Sequence, residues 1–168
     1  SAVTIWTVGF GVPDLAARSG LRTNAIGRLL TDETLTSVDD PRIVGAGDAT
    51  APSDLPLRMS CQAAIPLGAQ AANTVLSRIA GTEPKPLNQA FTGQCISLGR
   101  SSGLIQIAHL DDQVTPFYIG GRAAATVKEA VCKGTISFLS REARRPGSYF
   151  WLKGGKRKEK LAAQPVSS

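Results

Sequence analysis

The residues best suited to chemistry lie in one short run, Ile43, Val44, Gly45, Ala46, Gly47 and Asp48, with Thr36 just upstream. Such a run reads as a buried strand that leaves a single carboxylate at its C-terminal end. The preceding glycine has no Cβ, so backbone can approach a ligand closely there. A carboxylate in that position accepts hydrogen bonds, and a ligand offering hydroxyls suits it. Other constellations are poorer. Cys61, Cys95 and Cys132 are more than thirty residues apart and form no C-x-x-C pair. They read as free thiols of a reducing compartment. His109 is the only histidine, so a Cys/His zinc site would need scattered ligands and a catalytic triad would have to use this one ring. It sits in the alternation Ile105, Ile107, His109 and reads as a strand residue. No metal site is expected, and no residue is assigned a catalytic role.

The elements that must position Asp48 follow from periodicity and punctuation. Thr4 to Phe10 and Arg42 to Gly45 read as buried strands, and within the second the run Ile43 to Gly45, apolar throughout, implies burial on both faces of a parallel sheet. Leu15 to Arg18 can form one helical turn before Gly20. Gly9-Phe10-Gly11 suggests a dinucleotide fingerprint, but Asp14 occupies the third glycine position and Pro13 interrupts the turn, so that reading is rejected. Leu29, Leu30 and Leu35 mark short extended pieces, and Ala49 to Pro56 reads as a loop. From Ser60 to Ala80, Ile65, Gly68/Ala69, Ala72, Val75, Leu76 and Ile79 recur at helical spacing. Ser60 is the expected N-cap and Gly81 the stop, with Pro66 kinking the first turn or delaying the regular helix.

Residues 1–81 thus form one unit, 82–90 a linker containing two prolines, and 91–147 a second unit. In that second unit Phe91 to Gly99, Leu104 to Leu110 and Pro116 to Ile119 predict a three-stranded antiparallel meander. A helix from Arg122 to Arg144 follows, with Val127, Val131, Thr135, Phe138 and Leu139 on one face, and Pro146-Gly147 stops it. The fold class is α/β to α+β.

Charge is uneven. The chain has 168 residues, is 42% hydrophobic and carries a net charge of +6. Residues 141–160 contain eight Lys or Arg and two Glu, whereas residues 1–140 balance eleven against eleven. The basic pI therefore describes a tail, residues 148–168, on a neutral body. That tail reads either as a solvated, disordered segment or as a surface for anionic membrane through 149–160, where Tyr149, Phe150 and Trp151 adjoin Lys153, Lys156, Arg157 and Lys158. Nucleic acid is not expected, since its binders spread charge over a folded face. No window is long and apolar enough to span a bilayer, and no basic segment precedes an apolar stretch at the start. The expected location is cytoplasmic, with a peripheral place on the cytoplasmic face of a membrane if the tail docks.

The run Thr36, then Ile43 to Asp48, resembles the second flavin motif of the FAD-dependent pyridine-nucleotide oxidoreductases. Neighbouring segments resemble the family in the same order. Ile5 to Gly9 is similar to the strand by which the chain returns from the NAD(P)H domain. Cys61-Gln62-Ala63-Ala64 resembles the A-Q-x-A opening of the helix that points at the flavin ring. Phe91 to Gly99 and Ile119 through Lys128 resemble the C-terminal region of type II NADH dehydrogenase-like proteins.

The resemblance implies the C-terminal portion of a FAD-binding two-Rossmann fold: part of the FAD domain, then a three-stranded sheet and helix. It implies FAD as cofactor and NAD(P)H as substrate. Gly47 and Asp48 would meet the ribityl chain, and Gln62 and Ala63 the ring, where a helix N-terminus favours charge on reduced flavin. Pro66 stands where the respiratory enzymes have a second glutamine, which counts against quinone as acceptor. The implied partners are N-terminal FAD and NAD(P)H domains, without which the isolated chain is expected to be inactive and to self-associate. The alternative reading is a non-catalytic oligomerisation or membrane-docking module.

Overall fold

The computed structural model describes Val3 and residues 9–164. These divide into two compact units, residues 1–87 and 88–168, and the division falls inside the segment read as linker. The mixture of a short parallel sheet, an antiparallel sheet and helices makes the chain α+β. The expected strand Thr4 to Phe10 lies mostly outside the described residues, and Gly9 and Phe10 take no regular structure.

In the first unit, α1 (Leu15–Arg18) is the single turn expected before Gly20. Strands β1 (Leu29–Thr31) and β2 (Thr50–Pro52) pair in parallel, Leu29 opposite Thr50. Strand β2 falls where a loop was expected. Its residues are all buried, so Pro52 reads as a breaker in sequence yet ends a strand in space. The reverse correction applies to Ile43–Gly45. They form no strand and are half-buried, with one isolated bridge among the described residues, Val44 to Thr36. Ser37 N–H donates to Ile43 O at 2.9 Å and Gly45 N–H to Leu35 O at 2.9 Å. Among the described residues pairing is therefore on one side only, and an apolar run this short does not by itself specify a second neighbour.

Helix α2 (Cys61–Ile79) is capped as expected: Ser60 Oγ accepts from Ala63 N–H at 3.3 Å. Its end is a Schellman motif, with Thr82 N–H donating to Ser77 O and Gly81 N–H to Arg78 O while Gly81 sits at φ +68°. The helix runs through Pro66 without a break in its assigned span. The buried face is not the expected one. Ala63, Pro66, Leu67, Gln70, Ala71 and Thr74 are buried, as are Leu29, Leu35, Ala51 and Leu87 of the same unit. Val75, Leu76 and Ile79 are exposed, Ile79 at 79%. Two stripes of this helix are apolar or small, and polar anchors choose between them. Thr74 Oγ1 donates to Thr34 O at 2.7 Å, Gln70 Nε2 to Lys85 O at 2.7 Å, and Arg78 to Thr36 Oγ1 and Pro41 O.

The second unit is the meander expected from its turns: β3 (Gly93–Ser97), β4 (Gly103–Ala108) and β5 (Val114–Gly120), in that spatial order and antiparallel. His109 follows β4 in the turn, its N–H donating to Gln113 O at 2.8 Å, and is not a strand residue. Pro116 lies inside β5, which among the described residues pairs only with β4. A strand at the margin of a sheet tolerates the missing donor. The register shifts between Gln106 and Ala108, and Gln106 Nε2 donates to Thr115 O at 2.6 Å and Phe117 O at 3.0 Å across that irregularity.

Helix α3 (Gly121–Arg144) lies close over β4 because Gly103 has no side chain there; a Cβ would stand 3.1 Å from Ala125 N. Of its residues only Ala124 is buried. The segment after α3 is ordered through residue 164 and ends in α4 (Arg157–Ala162), so a fully solvated tail is not what forms. No helix among the described residues is long and apolar enough to cross a membrane.

Candidate functional site

The chain turns sharply at Gly47, whose φ of +69° suits glycine, into a single 3-10 turn, Gly47–Ala49. The turn delivers Asp48 to the start of α2. One carboxylate oxygen, Oδ1, accepts the Ser60 N–H at 3.3 Å, and a Cβ on Gly47 would stand 3.8 Å from Ala64 Cβ. Thr50 Oγ1 donates to Gly47 O at 2.8 Å and fixes the exit from the turn. Residues separated by a Pro-rich loop in sequence are thus brought together: Gly47 and Asp48 lie against the helix end that carries Gln62 and Ala63.

These four positions are not equivalent. Asp48 is half-buried, with a carboxylate at the positive end of a helix dipole. Gln62 is half-buried in the first turn, beside exposed Cys61. Ala63 is fully buried, and its N–H is already engaged by Ser60, through Oγ at 3.3 Å and O at 3.0 Å. Ala63 can therefore hold the helix end in place but does not offer its N–H to a ligand without losing the cap. Gly45, by contrast, is required by packing alone. A Cβ there would overlap the Thr50 methyl and come within 3.0 Å of Leu29 Cδ2.

Sequence reasoning passed over Arg28 and Thr31. Arg28 is buried and donates through Nη1 to Leu57 O at 3.3 Å, while its Nε and the Thr31 hydroxyl have no hydrogen-bond partner. A buried guanidinium has no periodicity signal, because its place is set by a residue far along the chain, here Leu57, whose carbonyl it reaches.

Charge elsewhere is local. Arg42, hydrogen-bonded to Asp40 through side chain and backbone, holds that carboxyl down at about 2. The backbone and side chain of Arg22 likewise lower Asp39. Both pairs lie on the surface, where ion pairs contribute little. Among the described residues no group of three or more His, Cys, Asp or Glu could hold a metal, and all three cysteines are free thiols. Neither protein-family models nor curated proteins yield a match to this chain.

Proposed function

We propose that this chain is the flavin-facing C-terminal segment of an FAD-dependent NAD(P)H oxidoreductase, similar to the type II NADH dehydrogenases. The observation that carries the reading is the meeting of Asp48 with the N-terminus of α2. A carboxylate and a helix start at the same point pair an acceptor for ribityl hydroxyls with a dipole that favours negative charge on a reduced ring. The residues fit that group. Asp48 Oδ2 accepts no hydrogen bond among the described residues, and Gly47 adds no bulk beside it. FAD would supply the hydride and electron chemistry; the protein's part is to bind and orient. Asp48 would take the ribityl chain and Gln62 would stand by the ring, while Ala63 supports the helix end. Pro66 is buried on the core side of α2, which agrees with an acceptor other than quinone.

The test uses the flavoprotein that contains this segment. Replacing Asp48 with Ala should weaken FAD retention by about 1.5–3 kcal/mol, roughly 10- to 150-fold, the contribution of a charge-assisted hydrogen bond. Flavin occupancy after dialysis is the readout, and bleaching of the bound flavin by NADH or NADPH distinguishes an oxidoreductase from a non-catalytic module. Unchanged occupancy in Asp48→Ala would remove the assignment.

One observation favours a second role, docking on anionic membrane. Phe150 is 74% exposed and Leu152 also faces solvent, beside Lys153, whose ammonium lies 5.3 Å from the Trp151 ring centroid. Aromatic and cationic side chains side by side suit the headgroup layer.

A further inference from the structure

Two of the three free thiols belong to one packing layer of the second unit. Helix α3 packs against β3 and β4. Gly103 marks the face of the sheet that it covers, since a Cβ there would stand 3.1 Å from Ala125 N and 3.3 Å from Ala124 C. Side chains alternate along a strand, and residues directly opposite one another in an antiparallel pair share a face. Gly103 lies opposite Ser97 and, two residues along on the same face, Ile105 lies opposite Cys95. Cys95 therefore points to the α3 side of the sheet, where it is half-buried.

The helix carries Cys132 toward the same stretch of β3. Lys128 Nζ donates to Cys95 O at 3.0 Å, which ties one turn of α3 to Cys95. Ala125, Lys128 and Thr135 are half-buried, at spacings that put them on one face of the helix. Cys132 stands in the same row, four residues after Lys128 and three before Thr135. A helical side chain leans toward the N-terminus and covers the turn before its own, so Cys132 leans over the turn of Lys128. It is nonetheless exposed, as are its neighbours in 129–133, and a solute meets it before Cys95. The third thiol, Cys61, lies on α2 in the first unit.

We propose that Cys95 and Cys132 are a redox pair, and that hydrogen peroxide closes them to a disulfide between β3 and α3. The Cys132 thiolate attacks one peroxide oxygen and the O–O bond breaks, leaving a sulfenic acid and hydroxide. The Cys95 thiolate attacks that sulfur, the S–O bond breaks, the S–S bond forms and a second hydroxide leaves. The hydroxides take up the protons that the thiols gave, so two thiols lose two electrons and one peroxide becomes two waters. A dithiol reverses the reaction by thiol–disulfide exchange. The bond ties to the sheet the part of α3 that lies beyond its buried residue, Ala124.

Mass spectrometry of the 168-residue chain tests the pair, with hydrogen peroxide as oxidant. The reduced chain offers three thiols to alkylation; after peroxide only Cys61 should still be alkylated, and dithiothreitol should restore all three. After alkylation, unfolding and trypsin, peptide 79–100 should appear joined to peptide 129–133. An equal mixture of light and isotopically heavy chain separates a bond within one chain from a bond between copies, and the joined peptides should be both light or both heavy. In Cys95→Ser, peroxide should leave Cys132 as a sulfenic acid trapped by dimedone at least tenfold more than in the unmodified chain. Light peptides joined to heavy ones in statistical proportion would overturn the proposal, as would a joined peptide containing Cys61 in place of this pair. Equal trapping in Cys95→Ser and the unmodified chain would overturn it as well, because Cys95 would then not be the thiol that resolves Cys132.

Discussion

Gly45 and Gly47 stand two residues apart in one motif, yet they are glycine for different reasons. Gly47 is glycine because of its backbone conformation, and Gly45 because the Thr50 methyl occupies the place of its side chain. The second statement can be checked by a mutant cycle. Gly45→Ala should destabilise the first unit by about 1–3 kcal/mol through overpacking. Thr50→Ser removes the overlapping methyl while keeping the hydroxyl that donates to Gly47 O. The double variant should then be more stable than Gly45→Ala alone, a favourable coupling measurable by urea denaturation. Additive losses would mean that the overlap is not what excludes a side chain at Gly45.

At the scale of elements, the segment 147–160 that follows helix α3 meets two carboxylates whose ionised forms are favoured, Glu142 and Asp111. Glu142 is lowered first by the Gly147 N–H and then, against the cost of burial, by Tyr149 and Ser148. At Asp111 burial is the largest single influence and opposes ionisation. The Gln113 N–H and the Lys156 charge together outweigh it, and the carboxyl ends below its ordinary value. Folded pKa values below the unfolded ones, about 4 for these groups, give a contribution that is complete above the unfolded values. It is lost as pH falls through the folded ones. The contacts that residues 147–160 make with Glu142 and Asp111 should therefore be complete from about pH 5 upward and be lost progressively below about pH 4, as the pH falls through the lowered folded values. The measurement is amide hydrogen exchange at Tyr149 and Gly154 against pH. Protection that fails between about pH 5 and 8 would contradict this assignment.

For the whole molecule the outstanding feature is apolar surface without cover. On α2 the exposed stripe includes Val75, Leu76 and Ile79. In the second unit Phe117 and Tyr118 on β5, and Ile136, Phe138 and Leu139 on α3, are all more than 40% exposed. Contiguous apolar surface in water is a driving force for association. The chain on its own should therefore sediment and scatter light as a species above 17.6 kDa. Its helicity should persist on dilution while its mass falls. A monomer at all concentrations would show that these stripes are tolerated in solution. Under the flavoprotein reading, the N-terminal FAD and NAD(P)H domains are the natural cover for the α2 stripe, and adding them should lower this self-association.

Local chemistry was enough to write the caps and turns into the sequence. Ser60 before a helical repeat, Gly81 after it, and the turn residues between three alternating runs determine α2 and the β3–β5 meander, because a cap or a tight turn is decided by a few adjacent residues. The sequence also carried the juxtaposition of a Gly-Asp turn with a helix start, though only as a resemblance; the 3.3 Å contact between Asp48 and Ser60 is a matter of tertiary structure. Tertiary structure alone decided which stripe of α2 is buried, since both stripes are apolar or small and the choice is made by Thr74, Gln70 and Arg78 reaching residues far away in the chain. It alone turned Thr50–Pro52 into a strand and gave Ile43–Gly45 one paired neighbour among the described residues, because pairing depends on which backbone lies alongside. And it alone placed Asp111 under a basic tail: composition counts charges, but only the folded chain shows which carboxylate meets which lysine.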